Sequence, residues 1–137
     1  MDVTIRGLTE LQEKYAHKGR DIRPMLARTM DKAVKYAQSQ VPGYPEPPPF
    51  STYRRTGQLG RALTSEVREI GNASVGVIGN ATVYAPDVIS SEAVGGRGPQ
   101  KWYHARTGWY TLQAVVDGAR EAIIDIFRKA VKMLVEE

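Results

Sequence analysis

The stretch from Thr111 to Glu137, TLQAVVDGAREAIIDIFRKAVKMLVEE, constrains the fold more than any other part of the sequence. Leu112, Val115, Val116, Ala119, Ile123, Ile126, Phe127, Ala130 and Leu134 recur at helical spacing. One long amphipathic helix is expected, with Asp125 and Lys129 as an i,i+4 pair on its outer face. Such a helix is marginal in water and needs an apolar surface to cover its stripe. A second stretch, DIRPMLARTMDKAVKYAQSQV, repeats the pattern through Ile22, Met25, Leu26, Met30, Ala33, Val34, Ala37 and Val41, with Arg23, Arg28, Lys32, Lys35 and Gln38 facing out. Asp21 is the expected N-cap, Pro24 fits the first turn and Pro42 ends the helix.

The remaining segments read as strands and loops. Val3 and Ile5 alternate with polar neighbours in a short strand, and Leu8, Leu11 and Tyr15 mark a short helix that Gly19 closes. LGRALTSEVREI and ASVGVIGN read as strands of a hairpin turning at Gly71 and Asn72. ATVYAPDVI reads as a third strand, which Pro86 confines to an edge or ends early. The expected fold class is α+β: a small, mostly antiparallel sheet packed by two long amphipathic helices. A proline-rich arm over 42–55 and a long glycine and aromatic loop over 90–109 project from it. At 137 residues the chain fits one domain, residues 1–137, without internal repeats.

Composition narrows the function classes. The chain has no cysteine, which removes disulfides and thiolate metal sites. Its apolar runs fall short of the roughly 20 residues of a membrane span, and MDVTIRGLTEL lacks the apolar core of a secretion signal, so a soluble chain outside the membrane is expected. A net charge of +4 arises from 19 bases interspersed with 15 acids, a weak pull towards acidic partners.

Catalytic patterns are sparse. His17 and His104 stand far apart without clustered carboxylates, and Ser65, Ser90 and Ser91 occupy no nucleophile elbow. GGRG at 95–98 lacks both the Walker ending and dinucleotide-binding spacing. No enzyme, metal or cofactor is expected. Basic and aromatic residues cluster instead: Tyr53, Arg54, Arg55 and Arg61, and then Arg97, Lys101 and Arg106 around Trp102, Tyr103, His104 and Trp109. Such clusters can stack on and neutralise a nucleic-acid strand, and they equally mark protein interfaces. The second is preferred, with a nucleic-acid-binding module as the alternative. Preceding the first cluster, PGYPEPPP sets five prolines, Pro42, Pro45, Pro47, Pro48 and Pro49, into eight residues. This stiff segment can serve as a polyproline II ligand, an internal strut or an arm reaching a neighbouring subunit.

The order of these motifs resembles the tail-completion, or head–tail joining, proteins of long-tailed bacteriophages and their prophage relatives. YPEPPP followed by TYRRTGQLGRAL, then VIGNATVYAPDV, then HARTGWYTLQAV before the last helix carry the likeness over nearly the whole chain. Thr56, Gly57 and Leu59 correspond to the Thr-Gly and leucine that commonly follow the proline there. Asp87, after YAP, and the glycine-rich SSEAVGGRGPQ depart from the family pattern. The resemblance implies a structural, non-catalytic ring subunit at the virion's head–tail junction, assembled in the host cytoplasm. Its partners would be head-closure, tail-terminator or tail-tube proteins, with DNA passing nearby but not specifically bound. The isolated chain would be monomeric. Pro45, Pro47, Pro48, Pro49, Tyr53, Arg54, Arg55, Thr56, Gly57 and Leu59, together with Arg97, Trp102, Tyr103, His104 and Trp109, are the expected contact residues.

Overall fold

In a computed structural model, residues 2–4, 8–47, 57–70 and 73–136 are described. They form strand β1 (Asp2–Thr4), helices α1 (Leu8–His17), α2 (Arg23–Ser39) and α3 (Gln58–Arg61), strands β2 (Leu63–Ile70) and β3 (Ala73–Asn80), and helices α4 (Ala85–Ile89), α5 (Trp102–Thr107) and α6 (Leu112–Val135). The sheet runs β1-β3-β2, antiparallel throughout, with Leu63 opposite Asn80, Ile70 opposite Ala73 and Val3 opposite Gly76. This is the α+β arrangement read from the sequence. Gly71 and Asn72, expected at the hairpin turn, and Ile5 lie outside the described residues.

The two long helices form where the apolar period placed them. In α2, Leu26, Met30, Ala33, Val34 and Ala37 are all but fully buried, and in α6 Val115, Ala119, Ile123, Phe127 and Leu134 are buried. These faces meet each other, and α2 also lies across β2 and β3. Ile126 is only half-buried, because the stripe in contact steps from Ile123 to Phe127 in units of one helical turn. Thr111 caps α6 by accepting the Ala114 N–H at 3.2 Å. Asp125 pairs with Arg128 at 3.9 Å, one residue short of the expected Lys129, across an exposed surface where the contact contributes little.

At the start of α2 the N-cap is Ile22, one residue past the expected Asp21. The Asp21 carboxylate still covers the first helical N–H, that of Arg23, at 3.0 Å and grips the Arg23 guanidinium through two further bonds. Those side-chain bonds, above all, lower its pKa to about 2. Helix α2 closes at Gln40, two residues before Pro42.

The central strand β3 turns Ser74, Gly76 and Ile78 towards the helices. Gly76 sets how closely they approach: a Cβ there would lie 2.2 Å from Val34 Cγ1 and 2.8 Å from Met30 Sδ. The apolar stripe of α2 therefore rests almost on the backbone of the sheet.

Three expected assignments change. Leu59 to Arg61, read as the start of a strand, belong to the one-turn helix α3, and β2 begins at Leu63. ATVYAPDVI is not a third strand. Asn80 Oδ1 accepts the Thr82 N–H at 2.9 Å and turns the chain, after which Pro86 occupies the first turn of α4, where a missing N–H costs nothing. The third strand is the N-terminal β1. The expected 90–109 loop also contains α5, so 90–101 and 108–109 alone lie outside a helix.

Two glycine substitutions should move stability in opposite directions. Gly76→Ala is expected to cost about 1–3 kcal/mol or more by overpacking against Val34 and Met30. Gly118→Ala, inside α6 with nothing within 4 Å of the new methyl, is expected to gain about 0.5–1 kcal/mol. Urea denaturation of both variants checks the pair.

Candidate protein interface

Below the main core lies a smaller one built from Leu59, Ala85, Val88 and Ile89, with Tyr44, Tyr84, Trp109, Tyr110 and Leu112 packed around it. It is the point where separate parts of the expected interface meet. Tyr44, following α2 at the root of the proline arm, packs at a tilt against Trp109 with ring centroids 5.1 Å apart. Its hydroxyl accepts the Gly60 N–H at 2.7 Å. Arm root, α3 and the segment after α5 are thus joined by one side chain.

The Thr-Gly-x-Leu motif has a local reason. Gly57 caps α3 in a left-handed conformation, φ +76°, which glycine adopts without penalty. The turn then directs Leu59 into the small core at 4% exposure, while its carbonyl accepts Asn80 Nδ2 at 2.6 Å. Leu59, expected at a partner contact, is instead a packing residue.

Aromatic side chains continue outward from Trp109. His104 meets it edge-on at 6.2 Å, Tyr103 lies 4.6 Å from His104, and Trp102 stands T-shaped to Tyr103 at 5.6 Å. Gly108, φ +100°, ends α5 and lets the Trp109 N–H reach the His104 carbonyl. Burial lowers the His104 pKa, against the opposing charge of Asp87, so its ring is neutral near pH 7. At the outer end Trp102 is 71% exposed and Tyr103 49%. Exposed neighbouring aromatics of this size are costly to leave in water and typical of binding surfaces.

Helix α5 is carried on a folded loop. Asp87 Oδ1 accepts the Gly98 N–H at 2.7 Å and Oδ2 the Arg97 guanidinium at 3.2 Å, with Lys101 Nζ at 3.8 Å. The Gly98 amide, first, and then Arg97 and Lys101 hold the Asp87 pKa below the usual carboxylate range despite partial burial. Gly98 has φ +79°, and a Cβ on it would lie 2.9 Å from the Pro86 carbonyl oxygen, so the bond to Asp87 requires glycine. Gln100 completes the clamp: its Nε2 donates to Val88 O at 2.7 Å and to Trp109 O and Tyr110 O at 3.1 Å each. Asp87 is therefore the hub that holds the glycine-rich loop.

Of the expected contact residues, Pro45, Gly57, Leu59, Trp109, His104, Tyr103 and Trp102 converge on this end of the molecule. Arg97 belongs to the loop behind them, where it pairs with Asp87. Pro47 is exposed. Pro48, Pro49, Tyr53, Arg54, Arg55 and Thr56 lie outside the described residues. Sequence reasoning missed Tyr44, Asp87 as a structural hub, and Gln100. Among the described residues no cluster of three or more His, Asp or Glu side chains could hold a metal ion, and no helix is long and apolar enough to cross a membrane.

Comparison with protein-family models, with curated proteins and with solved structures finds no match to this chain.

The Asp87 clamp carries a pH signature. Because its folded-state pKa is depressed, its stabilising contribution is complete above the unfolded value of about 3.9 and is lost as pH falls through the lower folded value. Amide-exchange protection of Gly98 is expected to drop in that acid range, and Asp87→Asn is expected to abolish the step. An identical acid step in the variant would assign it to another group.

Proposed function

We propose that this protein is a structural, non-catalytic subunit of a phage-type head–tail junction, joining its neighbours through protein–protein contacts at the α5 end. The observation that carries the reading is the pair Trp102 and Tyr103, exposed side by side on a helix whose base is fixed by Asp87 and Gln100. A rigid aromatic anchor loses little conformational entropy on docking, and Trp and Tyr dominate interface energetics. The motif order from YPEPPP to HARTGWY supports placing that surface in a tail-completion protein. In such a ring one patch of a subunit meets a different patch of the next, which suits an arm and an aromatic helix arising together.

Nucleic-acid binding is the competing reading for the same basic and aromatic residues. Two of its cations, Arg97 and Lys101, are directed onto Asp87, which reduces the positive field available to a phosphate backbone.

The double variant Trp102→Ala, Tyr103→Ala is expected to keep its melting temperature, since both side chains are exposed, and to lower head–tail joining in a complementation assay by at least about tenfold. Full joining by the folded variant would remove α5 from the interface. Tight duplex or single-strand DNA binding with a steep negative salt dependence would favour the competing reading.

A further inference from the structure

The surface of α5 has a chemistry more specific than apolar. Trp102 and Arg106 are four residues apart on the helix, hence neighbours on one face with Cβ atoms about 5–6 Å apart. Arg106 is exposed and makes no ion pair with any described carboxylate, so the face offers a flat indole beside an uncommitted cation. Tyr103 extends the indole edge-on, and its carbonyl accepts the Thr107 hydroxyl at 2.7 Å. An aromatic platform flanked by a cation is suited to a proline-rich ligand that carries an acid: proline rings stack on indole faces, and the polyproline II helix is ordered before it binds.

The chain itself contains such a ligand. Pro45-Glu46-Pro47-Pro48-Pro49 places one carboxylate among four prolines. Glu46, exposed between Pro45 and Pro47, offers a carboxylate to Arg106 while the flanking prolines offer rings to the indole. Within one subunit Pro45 lies beside Gly108, at the far end of α5: a Cβ on Gly108 would be 3.7 Å from Pro45 Cβ. Glu46 and Pro47 then run on exposed, and Trp102 stays open.

We propose that the Trp102–Arg106 face of α5 binds the Pro45–Pro49 segment of a second copy of this chain, with the indole under the prolines and Arg106 opposite Glu46. This rests on reading α5 as a protein-binding surface and names its occupant. The contact is heterologous, segment to helix face, so each subunit contributes one of each, as a ring requires.

The test uses a synthetic peptide, YPEPPPF, corresponding to residues 44–50, titrated into the full chain while the indole N–H signals of Trp102 and Trp109 are followed by NMR. The Trp102 signal is expected to shift saturably. A peptide with the four prolines replaced by alanine, or the Trp102→Ala protein, is expected to bind at least about tenfold more weakly. Arg106→Glu is expected to weaken binding, and a peptide carrying lysine in place of the glutamate to restore it. No shift with YPEPPPF, or an equal shift with the alanine peptide, would overturn the proposal.

A mixing experiment separates exchange between copies from folding back within one. Trp102→Ala protein keeps an intact segment, and the triple variant Pro47→Ala, Pro48→Ala, Pro49→Ala keeps an intact face. At concentrations high enough for this weak contact to join copies of the unaltered chain, which is monomeric when dilute, each variant alone is expected to stay monomeric by sedimentation and the mixture to form a one-to-one dimer and nothing larger. A mixture that stays monomeric would contradict a contact between copies. Should the peptide fail while Trp102→Ala, Tyr103→Ala still impairs joining, the interface reading stands with a different occupant. Should the peptide bind and joining survive, the contact is self-association unconnected with the junction.

Discussion

Tyr44 packed at a tilt on Trp109 and hydrogen-bonded to the Gly60 amide is the contact on which the α5 end of the molecule depends. The main core does not need it, since α2, α6 and the sheet bury their own apolar faces. What the tyrosine does is fasten three loosely regular segments to that core at one point: the arm root, the α3 turn and the chain around α5. A polar hydroxyl on an aromatic body suits this position, because the ring fills the small core while the oxygen satisfies a backbone donor. Burial pushes the Tyr110 pKa up within this cluster and the His104 pKa down beside Trp109, because removal from water disfavours the charged form of each.

The arrangement divides labour between two cores. The larger one holds the shape, with Gly76 permitting α2 to rest on β3. The smaller one, with the Asp87 and Gln100 clamps, holds an irregular loop still enough for α5 to present exposed aromatics. On the proposed function, that stillness is what an assembly subunit needs: binding energy is not consumed in ordering the surface at each contact.

How much of this was legible depends on period. Helices α2 and α6 were readable because their apolar residues repeat over several turns, and β2 and β3 because Val75, Val77 and their neighbours alternate around a two-residue connection. A helix of four or five residues has too few turns to show a repeat, so α3 was read into a strand and α4 was read as one. Pro86 was taken for a strand breaker, although the same fixed φ serves the first turn of a helix. Trp102, Tyr103 and Trp109 drew attention through residue type alone. The clamps were hidden for a different reason: Asp87 reaches Gly98 across 11 positions and Gln100 reaches Trp109 across nine, and neither separation has a local pattern to announce it. Tyr44, inside PGYPEPPP, was passed over because the prolines around it spoke of an arm and not of a core.

The most direct measurement of the proposed role is an electron cryomicroscopy reconstruction of a phage head–tail junction assembled with this protein. The account expects a ring of copies there, with Trp102 and Tyr103 of each buried against a neighbouring protein chain. A junction without this protein, or one in which α5 faces the DNA channel or open solvent, would contradict it.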